Sequence, residues 1–581
     1  MPNTPLTIQA PRQGIAASPH LGFGDVRNLD IYSSSGVVRL NKVMSKRSST
    51  TITSGPKWIE PNPKNSAESF SVDANGVTYY GTLNSGSWAV LDGYSSTAAS
   101  GNGLKVWKDY LFVARDAHLD TFGPLTSITF TATLANPMVI TTSAAHNLVV
   151  GDRVILYSTG NITSAAAVNF TNNGTAYHIT SKTATTFTLS ATSGGVDLNS
   201  LAGSQSGVHT LKAWQRNLTT HWKQIDSDDE YHPMYVSVND GKLYGGAGRY
   251  VYSIEEVSGQ TFNPGDPATY TFTQQALDLP VEYRIKSISE IGSYLMLGTW
   301  QGILINDTPV ADIFPWDRSS TSFGQPIKIK EYGCHAMLND NGSLVVLAGL
   351  QGVVLRSDGV NYTEIARLPI ERNPSNGAYP IFYPGGIVKF KDRIFFTVGG
   401  SSTLGNLGVY SIKQTGQGTT LVLEHTNSEI NDGSTVELKI QSIAQIGQNS
   451  IAIGWSSATP ANGIDTVGSS YSYSTSYAGY FDTPLYKIGT PKSKGILSSV
   501  EIEFAKKLAT GEGVRIQYRT NLTDSFSDLG TYTMDVDGTT KIGATSSTFQ
   551  PVSIQDSKVQ FRIGLLGTTS STPELKEIIF T

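Results

Sequence analysis

Few residues in this chain are placed to do chemistry. Cys334 and His335 are adjacent, as a thiolate nucleophile and its base might be, but neighbours on a strand project to opposite faces, which disfavours a working dyad. Ser357, Asp358 and Gly359, followed by Tyr362, could hold a carboxylate on a turn between strands; a single Asp-Gly turn is ordinary in such a composition. Glycoside hydrolysis would need a second carboxylate across the sugar, and sequence separation pairs no two of the 47 acidic residues. The densest acidic run, DSDDEYH at 226–232, lacks the Gly turn around which calcium ligands are spaced, so a solvated loop is expected. VGGSSTLGNLG at 398–408 joins two strands without the helix N-terminus that would hold a phosphate, and is expected to be a hairpin loop. No HExxH, P-loop or GxSxG pattern is present, and the nine histidines are scattered. The expectation is a protein that is not an enzyme, with no catalytic residue, metal or cofactor.

Aromatic side chains are the other means of recognition. Trp88, Trp107, Trp214, Trp222, Trp300, Trp316 and Trp455 mostly occupy strand patterns, where packing is the usual use of an indole. YSYSTSYAGY at 471–480 reads equally as an exposed binding strip or a linker strand.

Strands must position all of these. The 58 Gly, 27 Tyr and 21 Phe against 15% charged residues favour tight turns and half-buried strands over amphipathic helices. A net charge of −5 argues against a protein that grips nucleic acid by its phosphates, but not against a surface past which nucleic acid slides. The lone Cys334 rules out an intramolecular disulfide framework and a multi-cysteine zinc site. The opening MPNTPLTIQAPRQG lacks a secretory layout and no stretch reaches the ~18 apolar residues of a membrane span, so a soluble chain made in a cytoplasm is expected.

YLMLGTWQGILI at 294–305 and LVVLAGLQGVVL at 344–355 repeat one arrangement: an apolar run, a Gly-bearing break and a second apolar run. GKLYGGAGRYVYSI (241–254), DRIFFTVGGSSTLGNLGVYSI (392–412), NSIAIGWSS (449–457), GVTYYGTLNSGSWAVL (76–91) and DYLFVA (109–114) fit the same template, and the lead-ins IKSISEIGSYLML, IVKFKDRIFFTV and IQSIAQIGQNSIAI recur before it. Units of roughly 45 to 55 residues, each able to supply four strands, predict an all-β chain built on an about seven-bladed β-propeller. A row of β-sandwiches is the alternative.

Propeller is expected over 67–123 and 212–480. The interruption, 124–211, is Thr- and Ala-rich with short alternating strands, and reads as an inserted small β-barrel. His146-Asn147-Leu148 followed by Gly151-Asp152-Arg153-Val154 is similar to a β-barrel module inserted in bacteriophage tail and fibre proteins; His146 itself reads as a strand-end residue. ILSSVEIEF, GVRIQYRT, KVQFRIGLL and ELKEIIFT predict a C-terminal β-sandwich over 481–581. Residues 1–66 read as an extended arm with short strands, which either adds to a neighbouring sheet or lies on another subunit.

The arm GIAASPHLGFGDVRNLDIYSSSGVVRLNK leading to PKWI, the repeats, the insertion and the sandwich together resemble the tail-nozzle proteins of short-tailed bacteriophages. The resemblance implies a virion tail protein made in the host cytoplasm. It implies a homo-oligomeric ring, usually a hexamer, attached to an adaptor ring, contacting fibres or tip proteins and passing genomic DNA through its lumen without specific binding. Arg12, His20, Arg27 and Arg39 are then the expected interface residues, and removing residues 1–40 is expected to abolish assembly while the propeller stays folded. The alternatives are a tail fibre or receptor-binding module for host-surface glycans, or a propeller glycosidase of the sialidase type, for which Ser357-Asp358-Gly359 would be a degenerate Asp-box.

Overall fold

The computed structural model describes residues 6–9, 25–32, 37–42, 44–48, 52–82, 88–91, 100–115, 118–126, 128–146, 148–158, 176–199, 207–214, 216–217, 231–301, 311–370, 379–401, 403–415, 418–430, 437–457, 461–468, 473, 479–490, 492–533, 541–542 and 554–581. Among them the chain is all-β, and no helix is long and apolar enough to cross a membrane.

Among the described residues seven four-stranded units follow one another. They span 56–90, 101–122 with Arg216–Asn217, 234–278, 283–329, 334–367, 387–426, and 438–468 with Ser45–Ser48. Within each of the first six, strands pair antiparallel in sequence order, as hairpins dictate, and in the seventh the outermost strand, Ser45–Ser48, comes from the start of the chain. The link between Cys334–Asp340 and Ser343–Ala348 shows why: Asn341 and Gly342 both take positive φ (52° and 85°), the two-residue turn whose twist matches the strands. Each unit's innermost strand touches that of the next, and the seventh touches the first, so the units close as the blades of a propeller.

Seven apolar cores lie between blades rather than within them. Phe70 and Val72 of blade one meet Leu104 and Leu111 of blade two; Leu243 and Tyr252 of blade three meet Trp107 and Phe112 of blade two. The circuit closes where Ile59, Tyr79 and Trp88 of blade one meet Ala444, Ala452 and Ile464 of blade seven. A lone sheet of this size is marginal in water, and each blade is stabilised by the faces of its neighbours.

The inserted barrel leaves blade two after His118–Phe122 and returns at Arg216–Asn217. It is a closed six-stranded barrel filled by side chains that include Phe130, Ile140, Val154, Phe187 and Leu189. The last barrel strand is His209–Trp214, so Lys212–Trp214, expected from sequence in the propeller, belong to the barrel. In blade four the strand that pairs next to Tyr294–Gln301 is Ala311–Trp316, which buries Ile313 and Phe314; the second apolar run expected at 303–305 falls in residues 302–310, outside the described set.

The arm is shorter than 1–66 and is built into its own chain. Pro56–Pro61 is already the innermost strand of blade one, and Ser45–Ser48 is the outermost strand of blade seven, paired with Asn462–Gly468. Leu6–Gln9 pairs with Leu575–Phe580 in one sandwich sheet. Asp25–Arg27 lies between the outer strand of blade six, Gly418–Thr426, and Gly479–Asp482 of the other sandwich sheet, making one ten-stranded sheet from propeller to sandwich. The two sandwich sheets bury Ile502, Ile578 and Phe580 against Val514, Ile516 and Phe561, with Phe561 stacked on Phe580 at 4.1 Å.

Candidate functional site

The innermost strands of five blades carry a β-bulge near their start, and each bulge is a polar residue. The register skips Lys57 in blade one, Asn102 in blade two, Lys286 in blade four, His335 in blade five and Gln441 in blade seven. A bulge adds one unpaired residue to a strand and re-aims its side chain. In blades three and six, His232 and Tyr383 stand at the same level, each before a proline that cannot donate to the ladder. All seven are buried, Lys57 and Lys286 being 9% exposed. Hydrogen bonds tie neighbouring blades at this level: Ser442 Oγ donates to the Pro56 carbonyl (2.8 Å), His232 N to the Asn102 carbonyl (2.7 Å), and Ile443 N to the Gly385 carbonyl (2.8 Å).

Side chains from distant blades converge here. The ammonium of Lys57 lies 4.8 Å, and that of Lys286 5.3 Å, from the centroid of the half-buried Tyr231 ring. Lys286 is also 5.6 Å from the Trp300 ring, and Tyr231 sits 6.4 Å from Tyr383. Lys57 Nζ reaches Asn102 Oδ1 at 3.4 Å. Lys286 Nζ donates to His335 Nδ1 (2.9 Å), and His335 Nε2 donates to the Gly349 carbonyl (3.2 Å) while its ring stacks on Phe382. Burial, and then the Lys286 charge, hold His335 well below the usual imidazole range, so it is neutral and fixed in this tautomer. Each of the seven side chains can donate a hydrogen bond, and none is an acid. The paired carboxylates of a glycosidase are not among these seven side chains.

One to two residues further along the strands opens a cavity of about 410 Å³, walled by Trp58, Leu104, Met234, Ile288, Met337 and Ile443. Its lining also includes Glu60, ion-paired to Lys105 at 2.8 Å, and Lys389, which reaches Asp340 at 2.7 Å.

The residues singled out from sequence fall elsewhere or in other roles. Cys334 and His335 do part company: Cys334 is fully buried between blades four and five, where burial pushes its thiol pKa up, and only His335 joins the axial layer. Asp358 accepts from Val360 N (2.9 Å) and Asn361 N (2.7 Å), while Ser357 Oγ donates to the Asn361 carbonyl (2.7 Å); the carboxylate closes a hairpin. Of the acidic run, Tyr231 and His232 enter the axial layer, and 226–230 lie outside the described residues. Trp88, Trp107, Trp316 and Trp455 are core, Trp300 faces Lys286, and the side chains of Trp214 and Trp222 lie outside the described residues. His146 caps its own turn, Nδ1 accepting from Leu148 N at 3.0 Å, and Gly151 takes φ 93° beside Asp152. In the 471–480 segment, Tyr473 stacks on Lys42 and Tyr480 lies in the strand paired with Arg27.

The expected interface residues are held within the chain where they are described. Arg27 pairs with Asp25 (2.6 Å) and lies over Tyr480, because its strand is inserted in the ten-stranded sheet; Arg39 pairs with Asp30 (3.2 Å). Arg12 and His20 lie outside the described residues. The axial layer itself was missed. Its signal was present in the lead-ins, where Lys286-Ser287-Ile288 and Gln441-Ser442-Ile443 place a long polar residue at the same point of an apolar strand.

No family model matches the chain, and no curated protein does either. Among solved structures, the RRP9 WD40 repeats align at 9% identity over 74% of this chain and 99% of theirs, with a TM-score of 0.37. The Dos1 propeller aligns at 8% identity over 73% of this chain and 95% of its own, TM-score 0.36. Phage phi92 endosialidase aligns at 10% identity over 80% of this chain and 69% of its own, TM-score 0.29. The propeller assignment stands on the strand order and the closed circuit of blades.

Proposed function

We propose that the chain is a bacteriophage virion structural protein, a subunit of the tail nozzle that forms and closes the distal end of the DNA-ejection channel as a homo-oligomeric ring. The observation that carries this reading is the continuous sheet that joins propeller to sandwich through the chain's own N-terminal arm. A wall that contains DNA under pressure needs modules that do not swing against one another. Here a hydrogen-bonded ladder crosses the junction, and charge pairs brace the sheet on either side of it: Arg562 grips Asp482 within the sandwich through two contacts (2.7 and 2.8 Å), and Arg393 pairs with Glu424 (2.7 Å) within blade six, under Tyr32 of the arm. Charge is consistent with a conduit. A ring multiplies the −5 of each chain, and an acidic or neutral wall repels a phosphate backbone that a basic wall would hold.

The adaptor ring above, and fibres or tip proteins below, are the partners this reading requires. The mass of the purified assembly tests it. A hexamer supports the nozzle; a trimer points to a fibre, and a monomer that cleaves oligosaccharides points to a glycosidase, either of which overturns it.

A further inference from the structure

We propose that the cavity adjoining the axial layer is a binding site for a single-chain amphiphile, a small molecule with one aliphatic chain and one polar head. The chain lies along the propeller axis and the head sits at the mouth. The space exists and is large: its 410 Å³ is between two and three times the roughly 150 Å³ of an apolar cavity that takes up benzene. In blade one its wall runs from Trp58 to Pro61, a length of about 10–13 Å at ~3.3 Å per strand residue. Spread over that length, the volume gives a mean width of roughly 6–7 Å, so the space is a well, longer than it is wide.

Apolar surface is what this well offers a ligand, because the charged and amide side chains of its wall are engaged within the chain. Lys105 pairs with Glu60 (2.8 Å) and Lys389 with Asp340 (2.7 Å). Asn339 Nδ2 donates to the Glu290 carbonyl (2.5 Å), and Gln445 Nε2 to the Gly447 carbonyl (2.9 Å). Pro61, Pro233 and Pro384 bring no N–H to the wall. Trp58, Ile288 and Ile443 are left to meet a chain, with Met234 and Met337, whose unbranched side chains adapt to its shape. The two ends of the well differ. The axial layer, with all seven side chains buried, closes one end. At the other, the side chains of Lys105 and Lys389 are 29% and 37% exposed and reach water. One closed end and one wet end suit a molecule with a single head, and ion pairs at the mouth carry both signs, so the head's charge is not selected. Filling the well with a chain removes apolar surface from water. This site is independent of the nozzle reading, since it lies within one propeller.

Isothermal titration calorimetry of the full chain with hexanoate, octanoate and decanoate, each kept below its micelle-forming concentration, tests the proposal. Affinity is expected to rise about fourfold per added methylene, the equivalent of ~0.8 kcal/mol for a buried CH₂. Octylamine and octyl glucoside are expected to bind within tenfold of octanoate. Ile288→Trp and Met234→Trp, which fill the well, should each weaken decanoate binding tenfold or more while the unliganded chain still melts cooperatively. If one of them fails to fold, the other decides, and the chain-length series on the unaltered protein stands without either. Four results would overturn the proposal: no binding of decanoate; an affinity that does not change with chain length; a loss of more than tenfold on changing the head; or decanoate binding retained by a folded filled variant, which would put the chain elsewhere on the protein.

Discussion

Deleting residues 1–40 is expected to unfold the C-terminal sandwich while the propeller survives. Ile8, Val26, Leu29, Ile31, Val38 and Leu40 all belong to the sandwich core. At about 1.5–3 kcal/mol for each buried side chain, their loss removes roughly 9–18 kcal/mol, or about 5–16 once the compactness of an unfolded chain is allowed for. The relief from no longer ordering the arm is opposed by newly bared faces of Leu575–Phe580 and Gly479–Asp482. A domain of this size is stabilised by about 5–15 kcal/mol in total, so the remainder cannot hold the sandwich together. Ser45–Ser48 is retained in the deletion, so blade seven keeps its outer strand. Limited proteolysis and calorimetry read the outcome: cleavage beyond residue 480 with a resistant propeller fragment, and loss of the sandwich's share of the unfolding heat. A 41–581 chain with the protease resistance and thermal profile of the full chain would refute this reasoning. It would also restore the arm as a free assembly element.

Arg12→Ala combined with His20→Ala is the cleaner probe of assembly: the ring is expected to dissociate at an unchanged melting temperature, read by mass. Asp120→Ala should cost about 3–5 kcal/mol in urea melts, because Arg115, 1% exposed, would lose the carboxylate it holds at 2.6 Å inside blade two. His335 is buried neutral, with its folded pKa below the ordinary 6.5. Its contribution is therefore complete above that pH and is lost as pH falls below it, and His335→Gln should flatten melting temperature against pH in that window. Asp317, held at about 2 by donors from Ser319 and Ser320, supports its turn from the ordinary carboxylate range upward and loses that support as pH falls toward 2. A carboxyl NMR titration of Asp317 near 4 would contradict this.

The propeller was legible because its physics is periodic. Each hairpin hides its faces only against the next, so LVVLAGLQGVVL had to recur in some form around the ring, and the apolar runs mark where. The junctions were not legible for the opposite reason. Asp25–Arg27 and Ser45–Ser48 are a few residues each, with no period to detect, and their partners lie at the far end of the chain. The end of the barrel's last strand, Lys212–Trp214, looked like propeller because both use the same apolar–aromatic alternation. The axial layer escaped because a bulge shifts register by a single residue; Lys286 and Gln441 read as ordinary solvent-side positions of a strand until pairing shows the ladder skipping them.

Blade seven gives this protein a timetable. Ser48 pairs opposite Ile464, more than four hundred residues later in the chain. At ribosomal rates of about 5–20 residues per second, the early strand waits roughly 20–80 seconds for its counterpart to be made. During that wait the exposed edge can pair with the wrong neighbour, and a chaperone that shields it would raise the yield of closed propellers. The ring of blades therefore closes only after the strand Asn462–Gly468 has been made.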